Sequence, residues 1–480
     1  MNVALPVPPR RDLRQGTVVA YGFGAVAYGV KDAGFGTFLL LFYNQVVGLP
    51  AATVGIVIAA ALIIDAFVDP AVGFLSDRTR SRWGRRHPWM YASALPIMIG
   101  YVLLWRPPAG ETAALAWLFG CAVLVRTAVS AYEVPSVALT AELTSDYDER
   151  TRILAWRYLW GWGGGLTMGL AAWLYFLAPA PGYPNGMLNR DGYAGYAVAG
   201  ALLMGTAILV SAIGTHREIP YLPRPVIEKQ TLRESFGELG EAFRNRAFLI
   251  LMLASLCVYV NQGVSYALGT YLQGYVWGFR PSDFVVVTVS YLLAAFAAFV
   301  FAPRLGKHGD KSRTAAIVVL IGAAIITFPY WLRMAGLAPA SGDPLAVPFV
   351  IACAVAGTAF NITGFILGAS MMADVVEDSE VRTGRRQEGV FFAGAFFVQK
   401  CTSGIGIFIA GSILTAAGLS AKATPGSVPE ATLASLSTFY AVGYLMLAVL
   451  GAYVFTRFPF GRAEHEARLA TLAEGGSSAR

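Results

Sequence analysis

Asp65 and Asp69 lie four residues apart in Ala51–Ser76, a segment otherwise apolar and long enough to span a bilayer. At helical spacing the two carboxylates share one face, a turn apart. A carboxylate in hydrocarbon costs about 2.5–3.5 kcal/mol on insertion scales, so such groups face a protein interior and mark an ion or substrate path. Each charge also opposes ionisation of the other. A bound cation, a proton or a buried Lys or Arg between them relieves that conflict. The competing reading is a salt-bridge network that only ties helices together. The chemistry expected of the pair is cation-coupled passage through a membrane.

Other spans carry chemistry too. Arg126, Ser130 and Glu133 follow i, i+4, i+7 and therefore share one helical face. Lys400 sits well inside Gly389–Leu414, where the alternative is a lysine snorkelling from a helix end. Tyr259, Asn261, Gln262, Tyr266 and Tyr271 make Ala247–Trp277 unusually polar, and Gly263 and Gly269 interrupt it. Interrupted spans in transporters line central cavities. Asn361 and Thr363 are similar candidates, and hydrogen bonding between helices is an equally good reading for each. Trp156, Trp160 and Trp162 flank the glycines 163–165 as either cavity walls or lipid-facing rings.

The elements that must position these residues follow from composition. The chain of 480 residues is 56% hydrophobic and 14% charged, with a mean hydropathy of +0.57, which excludes an ordinary soluble domain. About twelve apolar runs approach or exceed the roughly 20 residues needed to cross a bilayer. They are Thr17–Val46, Ala51–Ser76, Pro88–Trp105, Ala113–Ala138, Ile153–Leu177 and Tyr193–Gly214, then Ala247–Trp277, Phe284–Ala302, Ala315–Trp331, Val347–Met372, Gly389–Leu414 and Leu433–Phe455. Met1–Pro9 lacks the apolar core of a cleavable signal, so the first span is read as the membrane signal. Cys121, Cys257, Cys353 and Cys401 fall inside spans, far apart, and read as small core residues.

A polar break at 216–246 divides the chain into halves 1–215 and 247–457, with a tail 458–480. Within the break, Leu232, Phe236, Leu239 and Phe243 keep helical spacing behind a capping box of Thr231 and Glu234. That predicts an amphipathic helix on the cytoplasmic surface. Alternate connections are basic: Arg10, Arg11 and Arg14, then Arg78 to Arg86, Arg150 and Arg152, Lys307 to Arg313, and Arg382 to Arg386. By the positive-inside rule both termini and the central break are cytoplasmic. The net charge of +7 thus reports topology rather than nucleic-acid binding.

After the second span, the stretch from Gly73 through Asp77 and Arg78 to Arg85, Arg86 and Pro88 resembles the cytoplasmic loop signature of the major facilitator superfamily. There Gly permits tight helix packing, and Asp and Arg lock neighbouring helix ends. Leu305–Arg313 looks like a degraded second copy, as expected of duplicated halves. The resemblance narrows to the glycoside–pentoside–hexuronide cation symporters. The stretches that carry it are Asp65 to Pro70; His87, Pro88 and Trp89; Tyr132 to Pro135; and Glu142 to Thr151 with Arg157. Asp374, Glu377, Arg386, Glu388 and Lys400 complete it. It implies an all-α membrane protein of the major facilitator superfamily fold, with about twelve transmembrane helices in two six-helix bundles.

The resemblance further implies cation ligation by Asp65 and Asp69, with Ser130 where the family has a Thr. It places Lys400 beside the acids, Glu133 where an Asp bonds sugar hydroxyls, and Arg157 beside the substrate path. Asp32 is the candidate for a second sugar-binding acid. Outside the resemblance, Arg126 joins the substrate set, with local neutralisation of Glu133 as its alternative role, together with the polar span residues Gln262, Tyr266 and Asn361. Gly73, Asp77, Arg78, Arg85 and Arg86 form the conformational set. Val137 stands where the family has a Trp, so a ring that would stack on a pyranose is missing.

The expected function is symport of a sugar or glycoside coupled to Na⁺ or H⁺, by a monomer in the cell (inner) membrane that uses no cofactor. Membrane lipids and a small-molecule substrate are the expected partners, and nucleic acid is not. A sodium-coupled lysophospholipid carrier of the same fold is the alternative. A membrane enzyme is disfavoured, since no span holds a His, a nucleophile beside a base, or a metal motif. A non-transporting sensor would bind without cation-linked flux.

Overall fold

The computed structural model describes residues 13–144, 146–222, 237, 240–307, 310–340, 343–383 and 388–461. Arg10, Arg11, Thr231, Leu232, Glu234, Phe236, Leu239, His308, Arg385, Arg386 and His465 lie outside them. Among the described residues the protein is all-helical. Twelve helical stretches have 18 residues or more, and ten of them are long and apolar enough to cross a membrane. The third, His87–Leu104, and the fifth, Tyr147–Ala171, are the two outside that group.

Each stretch falls where an apolar run predicts it, but several continue past the apolar residues. The fourth, Glu111–Leu143, reaches Glu142, and the tenth, Ala346–Thr383, carries Asp374 beyond the expected end at Met372. Hydropathy stops where charge begins, whereas a helix ladder continues until its backbone hydrogen bonds are capped.

The first stretch, Gln15–Val47, is broken three times. A turn at Gly24 and Ala25 separates its α-helical pieces, and π-helical turns cover Gly34–Phe38 and Phe42–Val47. Gly48 ends it at φ 99°, the left-handed conformation that glycine adopts without a Cβ clash. Pro70 lies inside the second helix, Ala51–Arg78, directly after Asp69. Its missing N–H withdraws the donor that the Ala66 carbonyl would otherwise receive.

The chain forms two compact units. One comprises Met1–Phe35, Phe67–Ala172 and Arg190–Leu232; the other comprises Gly36–Ala66, Trp173–Asn189 and Arg233–Arg480. In the first unit the opening helix lies at backbone contact with the fifth. A Cβ on Gly29 would stand 2.7 Å from the Gly165 nitrogen, and one on Gly164 2.8 Å from the Val26 Cα. The glycine run therefore serves as a seat, the small-residue packing typical within membranes. Phe23 meets Trp160 edge-on at 5.0 Å, Trp156 stacks on Trp160, and Trp162 is exposed.

In the second unit the seventh stretch, Arg246–Val276, starts at a side-chain cap, with Asn245 Oδ1 accepting from the Ala247 and Phe248 amides at 2.9 and 3.1 Å. The second helix rests on the eleventh, Glu388–Ala416, so closely that a Cβ on Gly404 would lie 3.1 Å from the Ala59 Cα.

Candidate functional site

That last approach has a chemical result. Lys400 is one turn before Gly404, and its Nζ lies 2.9 Å from Asp65 Oδ2. The Asp65 side chain is 2% exposed and that of Lys400 24%. A carboxylate so deeply buried needs a compensating charge, and the lysine supplies it. Asp65 belongs to the second unit and Asp69 to the first.

In the first unit, a Cβ on Gly73 would lie 3.6 Å from Val134 Cγ1, which brings the second helix beside the fourth. Asp69 is one turn before Gly73, and Ser130 is one turn before Val134. Ser130 is 2% exposed.

Further along the fourth helix a second acid meets a base. Arg157 Nη2 lies 4.0 Å from Glu133 Oε1, and Arg157 Nη1 donates to Ser136 Oγ at 2.8 Å. The Arg157 guanidinium sits 5.8 Å from the Tyr21 ring, and Tyr21 OH donates to the Ser136 carbonyl at 2.6 Å. Arg157 is therefore held from several sides, while the Glu133 side chain remains 28% exposed. Arg126 is buried on the same helix with its guanidinium 5.5 Å from the Phe35 ring.

Asp32 does not stand alone. Its Oδ1 lies 2.6 Å from Nζ of Lys31, a lysine that is 5% exposed and sits 4.9 Å from the Tyr28 ring centre. Lys31 is absent from the sequence-derived set, although a lysine in the middle of an apolar run was signal enough.

The conformational set assembles at one helix end. Arg86 is buried, pairs with Asp77, and donates to Glu142 Oε1 and to Ser76 Oγ, each at 2.8 Å. Arg85 donates to the same Glu142 oxygen at 2.7 Å. Arg78 instead stacks over Phe74 of its own helix at 3.7 Å. The degraded copy forms a simpler clasp in the second unit: Lys311 Nζ lies 2.8 and 3.0 Å from the two oxygens of Asp374. Glu142 and Asp374 thus answer to the basic loops in equivalent ways.

The polar candidates of the second unit separate into two kinds. Asn261 donates to the Tyr444 carbonyl at 3.0 Å and Asn361 to the Tyr444 hydroxyl at 2.9 Å, so both bond the twelfth helix, Glu430–Phe455. Thr363 bonds back to Ala359 within its own helix at 2.8 Å. Tyr266 is 54% exposed, and a Cβ on Gly36 would lie 3.4 Å from its ring. Gln262 is half-buried.

Helices of spanning length, acids and bases inside those spans, and ionic clasps at helix ends describe a multi-pass membrane protein. Residues 20–462 match the family model described as MFS/sugar transport protein, and the chain belongs to that family. The resemblance to glycoside–pentoside–hexuronide cation symporters is borne out by its relatives. The chain is 26% identical to the glucuronide carrier protein homolog of Escherichia coli (strain K12), over 90% of each. It is 25% identical to the sodium-dependent lysophosphatidylcholine symporter 1 of Gallus gallus, over 98% of this chain and 93% of the relative. The structure of a bacterial homologue of the human drug peptide transporters PepT1 and PepT2 superposes with a TM-score of 0.61 at 13% identity, over 96% of this chain and 99% of that one. It shares the fold.

Proposed function

We propose that this protein is a cation-coupled symporter of a sugar or glycoside, working as a monomer in the cell membrane with both termini cytoplasmic. The observation that carries the reading is the buried Asp65–Lys400 ion pair, with Asp69 one helical turn away. In the empty carrier Lys400 neutralises Asp65. An incoming Na⁺ or proton takes Asp65 and Asp69 instead. Oxygen ligands suit a hard cation, and Ser130 adds a neutral one. The cation orders the second and fourth helices, and the fourth also presents Glu133 and Arg126 to the substrate. Each ligand then favours the form that the other has organised. The two six-helix halves alternate access around the site, with the clasps at Arg86 and Lys311 made and broken in each cycle.

A flux assay tests the reading. Purified protein in liposomes should accumulate a glycoside against its gradient when an inward sodium or proton gradient is imposed, and equilibrate it otherwise. Accumulation that ignores both gradients rules out the coupling.

A second reading, a lysophospholipid carrier, is favoured by two observations. The sodium-dependent lysophosphatidylcholine symporter of Gallus gallus aligns along nearly the whole chain. Val137, 48% exposed, presents no aromatic face for a sugar. Including lysolipids in the same assay separates the two.

A further inference from the structure

Within the second compact unit the seventh stretch lies beside the later part of the first, and the two run in register. A Cβ on Gly36 would lie 3.4 Å from the Tyr266 ring. Five residues on, the Tyr271 hydroxyl is shared between Asn44 Oδ1 at 3.0 Å and the Leu40 carbonyl at 3.3 Å. A turn later the Tyr275 hydroxyl donates to Gln45 Oε1 at 3.2 Å. Both stretches turn π-helical at this level, over Phe42–Val47 and Leu272–Val276. Such turns are rare and concentrate at functional sites. Here two of them face each other across one seam.

The connection 417–429, between the eleventh and twelfth helices, closes over that seam. Gln45 Nε2 donates to Asn44 Oδ1 at 2.6 Å and to the Ser420 carbonyl at 3.2 Å. The Tyr275 hydroxyl also reaches the Ala423 carbonyl at 2.9 Å. Between these two anchors Lys422 has φ 58°, a left-handed conformation uncommon for a lysine. Its stem fills the space that a Cβ on Gly48 would need. Asn44, Gln45, Tyr271 and Tyr275 are all buried, so their polar atoms satisfy one another in a shielded network. At the same end Trp173, itself in the π-helical turn Ala172–Phe176, stacks on Phe284 at 4.2 Å and meets Phe38 at 5.2 Å.

We propose that this strap is the non-cytoplasmic gate of the carrier, shut in this structure, with the facing π-helical turns as hinges and the 417–429 connection as latch. Opening takes the Tyr271 and Tyr275 hydroxyls away from Asn44, Gln45 and Ala423, and water replaces them. π-Helical turns are places where a helix bends, so the last segments can part while the helices below stay intact. The inference rests on the proposed transporter reading for its membrane orientation only. It needs neither the coupling ion nor the substrate.

The test reads access from outside intact cells that express the full chain. Tyr266→Cys places a thiol five residues before Tyr271, about 7.5 Å deeper along the seam at about 1.5 Å per residue. A membrane-impermeant cationic methanethiosulfonate is applied outside, and labelling is measured above that of the parent chain with its four native cysteines. With the gate shut the thiol should label slowly. Adding Tyr271→Phe and Tyr275→Phe keeps both rings and removes both hydroxyls. Labelling should then quicken by about tenfold, equivalent to about 1.4 kcal/mol. Each single Phe variant should fall between, so the result does not depend on the double variant folding. Asn261→Leu removes a bond to the Tyr444 carbonyl elsewhere in the same unit and should change the rate by less than about twofold.

Fast labelling of Tyr266→Cys alone, no quickening in the single and double Phe variants, or equal quickening by Asn261→Leu overturns the gate. Labelling as expected, beside liposome uptake that ignores both ion gradients, keeps the gate and removes the coupling.

Discussion

Lys400 and Asp65 form an ion pair at 2.9 Å between the eleventh and second helices, with the carboxylate almost wholly shielded from solvent. Removing one partner of such a pair costs about 3–5 kcal/mol, because the other charge stays buried alone. Lys400→Ala should therefore lower thermal stability and abolish transport. Adding Asp65→Asn should restore much of the stability. A double-mutant cycle on melting of the detergent-solubilised protein checks this, and strictly additive losses would contradict the pair.

Asp65 and Asp69 are the proposed ligands of the coupling ion. Asp65→Asn and Asp69→Asn should each abolish gradient-driven accumulation while leaving part of the substrate exchange activity. The measurement is counterflow and active uptake in the same liposome preparation. Undiminished accumulation by either variant removes the acid from the cation site.

Glu133 is 28% exposed beside the largely buried Arg157 and is the proposed sugar ligand. If the substrate is a sugar, Glu133→Gln loses charge-assisted hydrogen bonds worth roughly 1.5–3 kcal/mol each. Affinity should fall by about one to two orders of magnitude per bond, with cation affinity largely kept. For a lysolipid, acyl burial at about 0.8 kcal/mol per methylene dominates, and chain length should matter far more than this residue. Titrating the wild type and Glu133→Gln with glycosides and graded lysolipids distinguishes the cases.

Arg86 is buried and joins Asp77, Ser76 and Glu142 at one point. Arg86→Ala strips Asp77 and Ser76 of this arginine and leaves Glu142, itself only 7% exposed, with Arg85 alone of its two arginines. Stability should drop by about 3–5 kcal/mol, and Glu142→Gln in the same chain should recover part of it. Calorimetry of the three variants measures both. A neutral Arg86→Ala change would remove the clasp as a structural element.

The positions of the spans were legible because a bilayer dictates a long apolar run, and little else in a sequence imitates one. Asp65 and Lys400 were legible for the same reason, as charge placed where charge is expensive, whereas the Arg86 cluster was legible only through the resemblance of its loop to a family signature. The breaks in the first helix were not, since the π-helical turns at Gly34–Phe38 and Phe42–Val47 leave hydropathy unchanged. Lys31 was not legible as a site residue, because its partner Asp32 adjoins it in sequence and the family resemblance falls on the acid. Asn261 and Asn361 read equally well as cavity walls or as struts. Only the position of Tyr444, far off in the chain, shows both of them bonding one helix. Glu142 and Asp374 lie past the apolar runs, so their service to the basic loops emerged only once the helices were seen to continue.

The distance along the chain between Asp65 and Lys400 bears on how the protein is made. The second span leaves the ribosome with its acid, and the compensating lysine follows about 335 residues later, a delay on the order of 20–60 s at about 5–20 residues per second. During that interval Asp65 has no Lys400 to lie against. Until the eleventh span arrives, the acid depends on something other than Lys400 to offset its charge. Birth order therefore makes late synthesis of the second half, rather than emergence of the second span, the step that completes this ion pair.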